Sequence, residues 1–333
     1  MGEPIERKLP ECWGHRGASA RFPENTMASF EAAIRDGVYG IESDCHVSKD
    51  DVVVMFHDPT LNRTTNFKGA IKDCNWYGVD GMQHARTKKE PQQSIPTLVE
   101  TLALLMLPEN IHIHLNVDIK AMNDPVKLFT LMHTAISAYP QWETLLAPRI
   151  LLGIWHPRFI QPAKDILPYC RKTCISFSLW LARKYLWDDF ECLSIWVNAL
   201  MTREGEQFRA DVKKAGKKLM VFTVNDPNYM AEVVRWNVDA IITDKPNQWL
   251  ELRSSLQKNY DGTMVKYSNR RFLYTTLTLW TPFVWSIQRL FEVNSLLELF
   301  IPSLILLLFA VLPPEMGRSV YRSILYARMN CGQ

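Results

Sequence analysis

The sequence predicts an α/β fold, a (β/α)8 TIM barrel with a hydrophobic membrane-anchoring segment at its C-terminal end. Short apolar or β-branched runs alternate with longer stretches of helical period, the pattern of repeated βα units around a parallel sheet. Eight main runs of this kind are present, which suits closure into a barrel, and past Pro246 the composition turns strongly apolar. A chain of 333 residues holds one such barrel, about 250 residues, and an appendage.

Strands are placed at 12–18, 39–46, 111–119, 149–155, 173–179, 192–200, 218–225 and 239–243. Helices at 25–37, 96–107, 124–139, 158–169, 204–215 and 227–237 connect them, each long enough for a right-handed crossover. Asp124-Pro125 and Asp226-Pro227 read as helix starts, an acidic cap followed by proline in the first turn. After the second strand, Val52 to Phe56 reads as an extra strand, reached through a tight hairpin at Lys49-Asp50-Asp51 and delivering His57. From Pro59 to Ser94 the chain is polar and aperiodic, a long loop or small inserted subdomain on the same rim; loops of that length are usually functional lids or disordered. The expected boundaries are an N-terminal tail at 1–10, the barrel at 11–252 with its inserted loop at 59–94, a linker at 253–271, an anchor region at 272–317 and a basic tail at 318–333.

Within the anchor region, Phe272 to Ile287 carries no charge and Leu296 to Leu312 carries only Glu298. A helix over the second run reaches about 25 Å, short of the roughly 30 Å hydrocarbon core, so it needs local thinning or snorkelling flanks. A single tail anchor at 296–312 and a helical hairpin both fit. Lys266, Arg270 and Arg271 before the first leg and Arg318, Arg322 and Arg328 after the second favour the hairpin, which keeps both basic flanks cytosolic. The endoplasmic reticulum, lipid droplets and the mitochondrial surface all satisfy this reading.

A net charge of +3 with no dense basic stripe excludes nucleic acid as a partner. Seven scattered cysteines fit reduced thiols better than a disulfide framework. Cys170 and Cys174, the one close pair, are spaced to share a helix face but lack the second pair a zinc site needs. Met1 to Pro10 is charged and holds no apolar run, so no secretory leader is expected and the catalytic part is placed on the cytosolic side. The sequon at Asn62-Arg63-Thr64 carries little weight against that. Composition leaves the oligomeric state open.

Glu42 and Asp44 stand two apart on a strand, so both point to one face and can chelate one hard cation. Asp118 ends the next main strand and supplies a third carboxylate oxygen, making a site for Mg²⁺ or Ca²⁺. His15 and His57 each follow an apolar run at adjacent strand ends. One neutral imidazole can take a proton from an attacking oxygen while the other, protonated, donates to a leaving alkoxide. Arg16 and Lys120 supply cations for the non-bridging oxygens of a phosphate. His156 is a further polar group at the rim, whereas His46, His84, His112, His114 and His133 read as structural.

Taken together, His15-Arg16-Gly17, Pro23-Glu24-Asn25-Thr26, Glu42-Ser43-Asp44, His57-Asp58, Arg63-Thr64-Thr65, Ile95-Pro96-Thr97-Leu98, Asp118-Ile119-Lys120, Thr223-Val224-Asn225 and Ile242-Thr243-Asp244-Lys245-Pro246 resemble the glycerophosphodiester phosphodiesterase family. The resemblance covers roughly residues 10–250 in order. It implies a (β/α)8 barrel, divalent-metal dependence, catalytic histidines at His15 and His57, and metal ligands at Glu42, Asp44 and Asp118. Two departures stand out. The resemblance implies glutamate where Asp118 stands, so that ligand is one methylene shorter. It also implies a tryptophan before Thr-Val-Asn, where Phe222 keeps ring stacking but not an indole hydrogen bond.

Barrel plus apolar tail is similar to the membrane-attached, fungal phosphatidylglycerol-specific phospholipase C branch of that family. An anchor suits a diacyl phospholipid, which cannot leave the bilayer. The expected reaction is therefore metal-dependent cleavage of phosphatidylglycerol to diacylglycerol and glycerol 3-phosphate. Alternatives are a lysophospholipase D, a soluble glycerophosphodiester phosphodiesterase and, from another class, an inactive membrane-tethered lipid-binding protein.

Overall fold

The computed structural model describes residues 8–267. Residues 1–7 and 268–333, and with them the expected anchor region at 272–317 and basic tail at 318–333, lie outside the described residues. Among the described residues nine strands form one sheet: β1 Glu11–His15, β2 Gly40–Val47, β3 Val53–Met55, β4 His114–Ile119, β5 Ile150–Ile154, β6 Arg171–Ser176, β7 Cys192–Trp196, β8 Lys218–Phe222 and β9 Ala240–Thr243. Eight of them run parallel in the order β1-β9-β8-β7-β6-β5-β4-β2, and β1 pairs with β2 to close a TIM barrel. β3 is antiparallel to β2, as the hairpin at Lys49-Asp50-Asp51 predicts.

Alternation along each strand sends one set of side chains inward and the other outward. The inward set packs Trp13, Leu151, Cys192, Met220, Ala240 and Ile242 into the lower barrel. The outward set, including Ile41, Leu115, Val117, Leu152 and Ile154, meets Phe30, Leu102, Phe129, Phe159 and Phe208 in the layer between sheet and helices. Each fully buried large side chain contributes roughly 1.5–3 kcal/mol relative to exposure. This apolar layer lies below the strand ends that carry His15, Glu42, Asp44 and Asp118.

Helix starts follow their capping residues. Thr26 caps Met27–Asp36, and Gly37, left-handed, ends it. Thr97 and Glu100 form a reciprocal capping box on Leu98–Leu105. Asp124 and Asp226 cap Pro125–Ser137 and Pro227–Arg235, as expected.

The departures lie at strand ends. The run expected as strand to 179 stops at Ser176, where the Ser176 hydroxyl bonds the Ser178 carbonyl and accepts the Ser178 N–H; Ser178 then caps a short helix, Leu179–Leu181. Likewise β7 stops at Trp196 and Val197–Leu200 is helical, while β8 stops at Phe222. Phe177, Trp196 and Phe222 thus sit at the rim. Cys170 and Cys174 do not share a helix face, because Cys174 lies in β6 and Cys170 precedes it; both are buried free thiols. The linker expected from 253 begins inside the helix Pro246–Lys258, whose Leu252 and Leu256 are buried.

The 59–94 segment is an ordered subdomain with its own apolar centre of Leu61, Ile71, Trp76, Met82 and Ala85 against Val54 and Phe56. The Asp50 carboxylate at the β2–β3 turn accepts the N–H groups of Trp76 and Tyr77 at 2.7 and 3.0 Å. That fixes the subdomain to the strand pair that carries His57. Among the described residues, no helix is long and apolar enough to cross a membrane.

Candidate active site

Register brings the predicted residues together. His15 is paired with Glu42 across β1 and β2, and Asp44 with Asp118 across β2 and β4. In-register neighbours on parallel strands point to the same face, so all four face the upper barrel. One oxygen from each of Glu42, Asp44 and Asp118 lies within 4.8 Å of the others, and all three residues are buried.

Such a cluster is costly without positive charge. Burial first, then the neighbouring Asp44, pushes the Glu42 carboxyl up to about 8. Asp44 moves the other way: burial opposes its charge, but Lys120, His57 and Arg16 hold it well below the usual carboxylate range. Lys120 Nζ lies 2.5 Å from Asp44 Oδ1 and 2.7 Å from Asp118 Oδ2, with its side chain 3% exposed. Three hard oxygen donors around one point, two of them, Glu42 and Asp118, driven toward protonation by burial and then by Asp44, fit a divalent cation of the Mg²⁺ or Ca²⁺ kind.

Each histidine is oriented by an aspartate. His57 Nδ1 lies 2.7 Å from Asp58 Oδ1, and His15 Nδ1 lies 2.5 Å from Asp244 Oδ1. These contacts engage Nδ1 and leave Nε2 of each ring available; His15 Nε2 is 3.9 Å from Glu42 Oε2. The two rings titrate in opposite directions. Burial, Arg16 and Lys120 push His57 down to about 3. Burial and Arg16 also act against charge on His15, but Asp244 and Glu42 outweigh them and raise it. His57 is thus held in its neutral form at neutral pH, while Asp244 and Glu42 draw His15 toward the imidazolium.

Further residues hold this arrangement. Arg16 and Gly17 both take positive φ, 55° and 82°, and a Cβ on Gly17 would stand 2.5 Å from Ser29 Oγ. The resulting turn lets the Arg16 N–H donate to Glu42 Oε2 at 3.1 Å. Arg16 Nη1 bonds Glu24 at 2.8 Å, and Arg63 bonds both Glu24 and Asp58. Glu24 thereby links the His15 loop to the His57 loop. Asn25 Nδ2 donates to Asp44 Oδ2 at 2.8 Å, and Asn225 donates to Asp244 while accepting its N–H. His46, buried, donates from Nε2 to the His57 carbonyl at 3.1 Å, in keeping with a structural role. His156 accepts the Arg158 N–H at 3.2 Å and caps its own turn.

Glu24 gives an acid-stability prediction. Burial opposes its charge, but Arg16 and Arg63 lower its carboxyl from 4.5 to about 2. A group depressed on folding stabilises the fold above its unfolded value and loses that contribution as pH falls toward the folded one. Glu24→Gln is expected to cost about 2 kcal/mol at neutral pH and to flatten the acid limb of a melting-temperature profile between pH 4.5 and 2. An unchanged acid limb would show that the link is too solvated to matter.

Above the triad, Trp155, Phe177, Trp196 and Phe222 form an aromatic wall. Phe177 lies 4.9 Å from Trp155, 5.8 Å from Trp196 and 5.7 Å from Phe222, centroid to centroid. Phe222 meets Trp155 and Phe177 edge-on rather than by the stacking expected of it. The sequence reading of the site omitted Asp58, Asp244, Glu24, Asn25, Arg63, Asn225 and Trp155. All but Trp155 stood inside motifs already singled out.

The chain is similar to several known proteins. A glycerophosphodiester phosphodiesterase of Bacillus altitudinis is 23% identical over 273 residues, covering 75% of this chain and all of that protein. A human lysophospholipase D is 32% identical over 149 residues, 41% of this chain and 48% of that one. Among solved structures, an Oleispira antarctica phosphodiesterase in complex with the product sn-glycerol-3-phosphate superposes with a TM-score of 0.61 at 24% identity, covering 73% of this chain and 96% of that one. Residues 15–248, which include both histidines, the acidic triad and Asp244, match the glycerophosphoryl diester phosphodiesterase family, and the chain belongs to it.

Proposed function

We propose that this phosphoric diester hydrolase acts on a membrane glycerophospholipid, most readily phosphatidylglycerol, and releases diacylglycerol and glycerol 3-phosphate. The observation that carries the reading is the pair of aspartate-oriented histidines of opposite charge preference flanking three carboxylates. The aromatic wall of Trp155, Phe177, Trp196 and Phe222 favours a substrate with an apolar side. The uncharged run Phe272 to Ile287 and the run Leu296 to Leu312 favour attachment to a membrane, with the catalytic domain on its cytosolic side.

In this mechanism His57, neutral, takes the proton of the headgroup 2-hydroxyl as its oxygen attacks phosphorus. The bond from phosphorus to the diacylglycerol oxygen breaks, and His15 donates its proton to that oxygen. Water then opens the cyclic glycerol phosphate, with the two histidines exchanging roles. A divalent cation held by Glu42, Asp44 and Asp118 would neutralise charge on the non-bridging oxygens. Arg16 and Lys120 add positive charge on the same side.

Mass spectrometry of products from a phospholipid panel, with and without EDTA, tests this. Diacylglycerol and glycerol 3-phosphate from phosphatidylglycerol, little turnover of choline and ethanolamine lipids, and loss of activity with EDTA are the expected results. Phosphatidic acid and free glycerol would sink the route. Preferential release of lysophosphatidic acid from lysolipids would favour the second reading, a lysophospholipase D, which the human relative's name supports.

A further inference from the structure

Asp118 carries a hydrogen bond on each carboxylate oxygen. Lys120 Nζ donates to Oδ2 at 2.7 Å, and the indole Nε1–H of Trp155 donates to Oδ1 at 2.6 Å. Asp118 pairs in register with Gly153 on β5, and Trp155 stands two residues beyond on the same face. Gly153 offers no side chain to Asp118, and the space a Cβ would take there is filled, with Ile175 Cδ1 at 2.4 Å and Asn116 Oδ1 at 3.1 Å. Trp155, the residue that follows β5, is therefore the side chain that reaches Asp118 from this strand's end. Its ring is held in turn by Phe177 at 4.9 Å and by Phe222, edge-on, at 6.2 Å.

We propose that Trp155 is a positioning residue for the cation site, fixing the carboxylate plane of Asp118 through its indole N–H, and that Trp155 and Asp118 form a matched pair. This rests on reading Glu42, Asp44 and Asp118 as ligands of one cation. A hydrogen bond to an ionised acceptor is short and directional. With one oxygen bound to an ammonium and the other to an indole, the carboxylate presents its remaining lone pairs in one orientation. The short aspartate side chain leaves room for the indole; a glutamate would push its carboxylate against that ring. The aromatic wall and the acidic triad are thus joined through one side chain.

Titration calorimetry of the purified full chain with Mg²⁺, Ca²⁺ and Mn²⁺, without substrate, tests the pairing. Trp155→Phe keeps the ring but removes the N–H, and is expected to weaken cation affinity roughly 10-fold. Asp118→Glu in the wild-type background is expected to weaken it at least about 3-fold, whereas the same change added to Trp155→Phe strengthens it, a reversal that general loosening of the fold would not produce. Affinity of Trp155→Phe within about twofold of wild type overturns the proposal. If that variant does not fold, Asp118→Glu decides alone, and wild-type affinity there overturns it equally. Absence of cation binding by the wild-type chain would instead refute the cation reading beneath it.

Discussion

Replacing His57 by alanine is expected to lower kcat by about 10³-fold while leaving association with phospholipid vesicles intact, because a positioned acid or base contributes about 10²–10⁴-fold. The expectation follows from how the ring is held. Asp58 occupies Nδ1, and burial with Arg16 and Lys120 keeps the imidazole neutral. His15→Ala is expected to cost a similar factor for the opposite reason, since Asp244 and Glu42 favour its charged form. A double variant no worse than either single one would indicate that the two act as one unit. Retention of more than a tenth of the wild-type kcat in His57→Ala would refute its role as base. The same pair of measurements, turnover and vesicle binding, separates an enzyme from a tethered lipid-binding protein.

The barrel was readable because its two hydrophobic periods are clean. Alternation around Glu42 and Asp44 places both on one face, and the caps at Thr26, Asp124 and Asp226 mark helix starts through chemistry local to a few residues. The strand ends were harder. Phe177 extends a run of strand-like composition, yet the chain turns there because the Ser176 hydroxyl bonds the main chain of Ser178 instead of the ladder.

Within the site, the histidines and triad stood out because each sits in a short motif, and in two of these, His57-Asp58 and Asp118-Ile119-Lys120, the members also bond each other. Asp244 is 229 positions from His15, and only closure of β9 onto β1 brings them to 2.5 Å. Trp155 left no local sign of its bond to Asp118, since that contact is made between strands. Sequence shows which groups can do the chemistry; the positioning contacts arise from register.

Lys120 poses the largest stability question. Its side chain is 3% exposed and its ammonium lies between Asp44 and Asp118, so it neutralises part of the triad. Removing one partner of a buried ion pair costs about 3–5 kcal/mol, and each kcal/mol lowers the melting temperature of a domain this size by about 2–4 °C. Lys120→Met, in EDTA, is therefore expected to melt about 10 °C below wild type. A saturating divalent cation is expected to recover most of that loss, since it restores charge balance to the same carboxylates. Asp44→Asn behaves differently: it leaves the ammonium with one carboxylate and removes a ligand, so cation addition recovers little. Activity discriminates further. Restored stability in Lys120→Met without restored turnover would assign the ammonium a second task on the phosphate oxygens, whereas recovery of both would confine it to balancing Asp44 and Asp118.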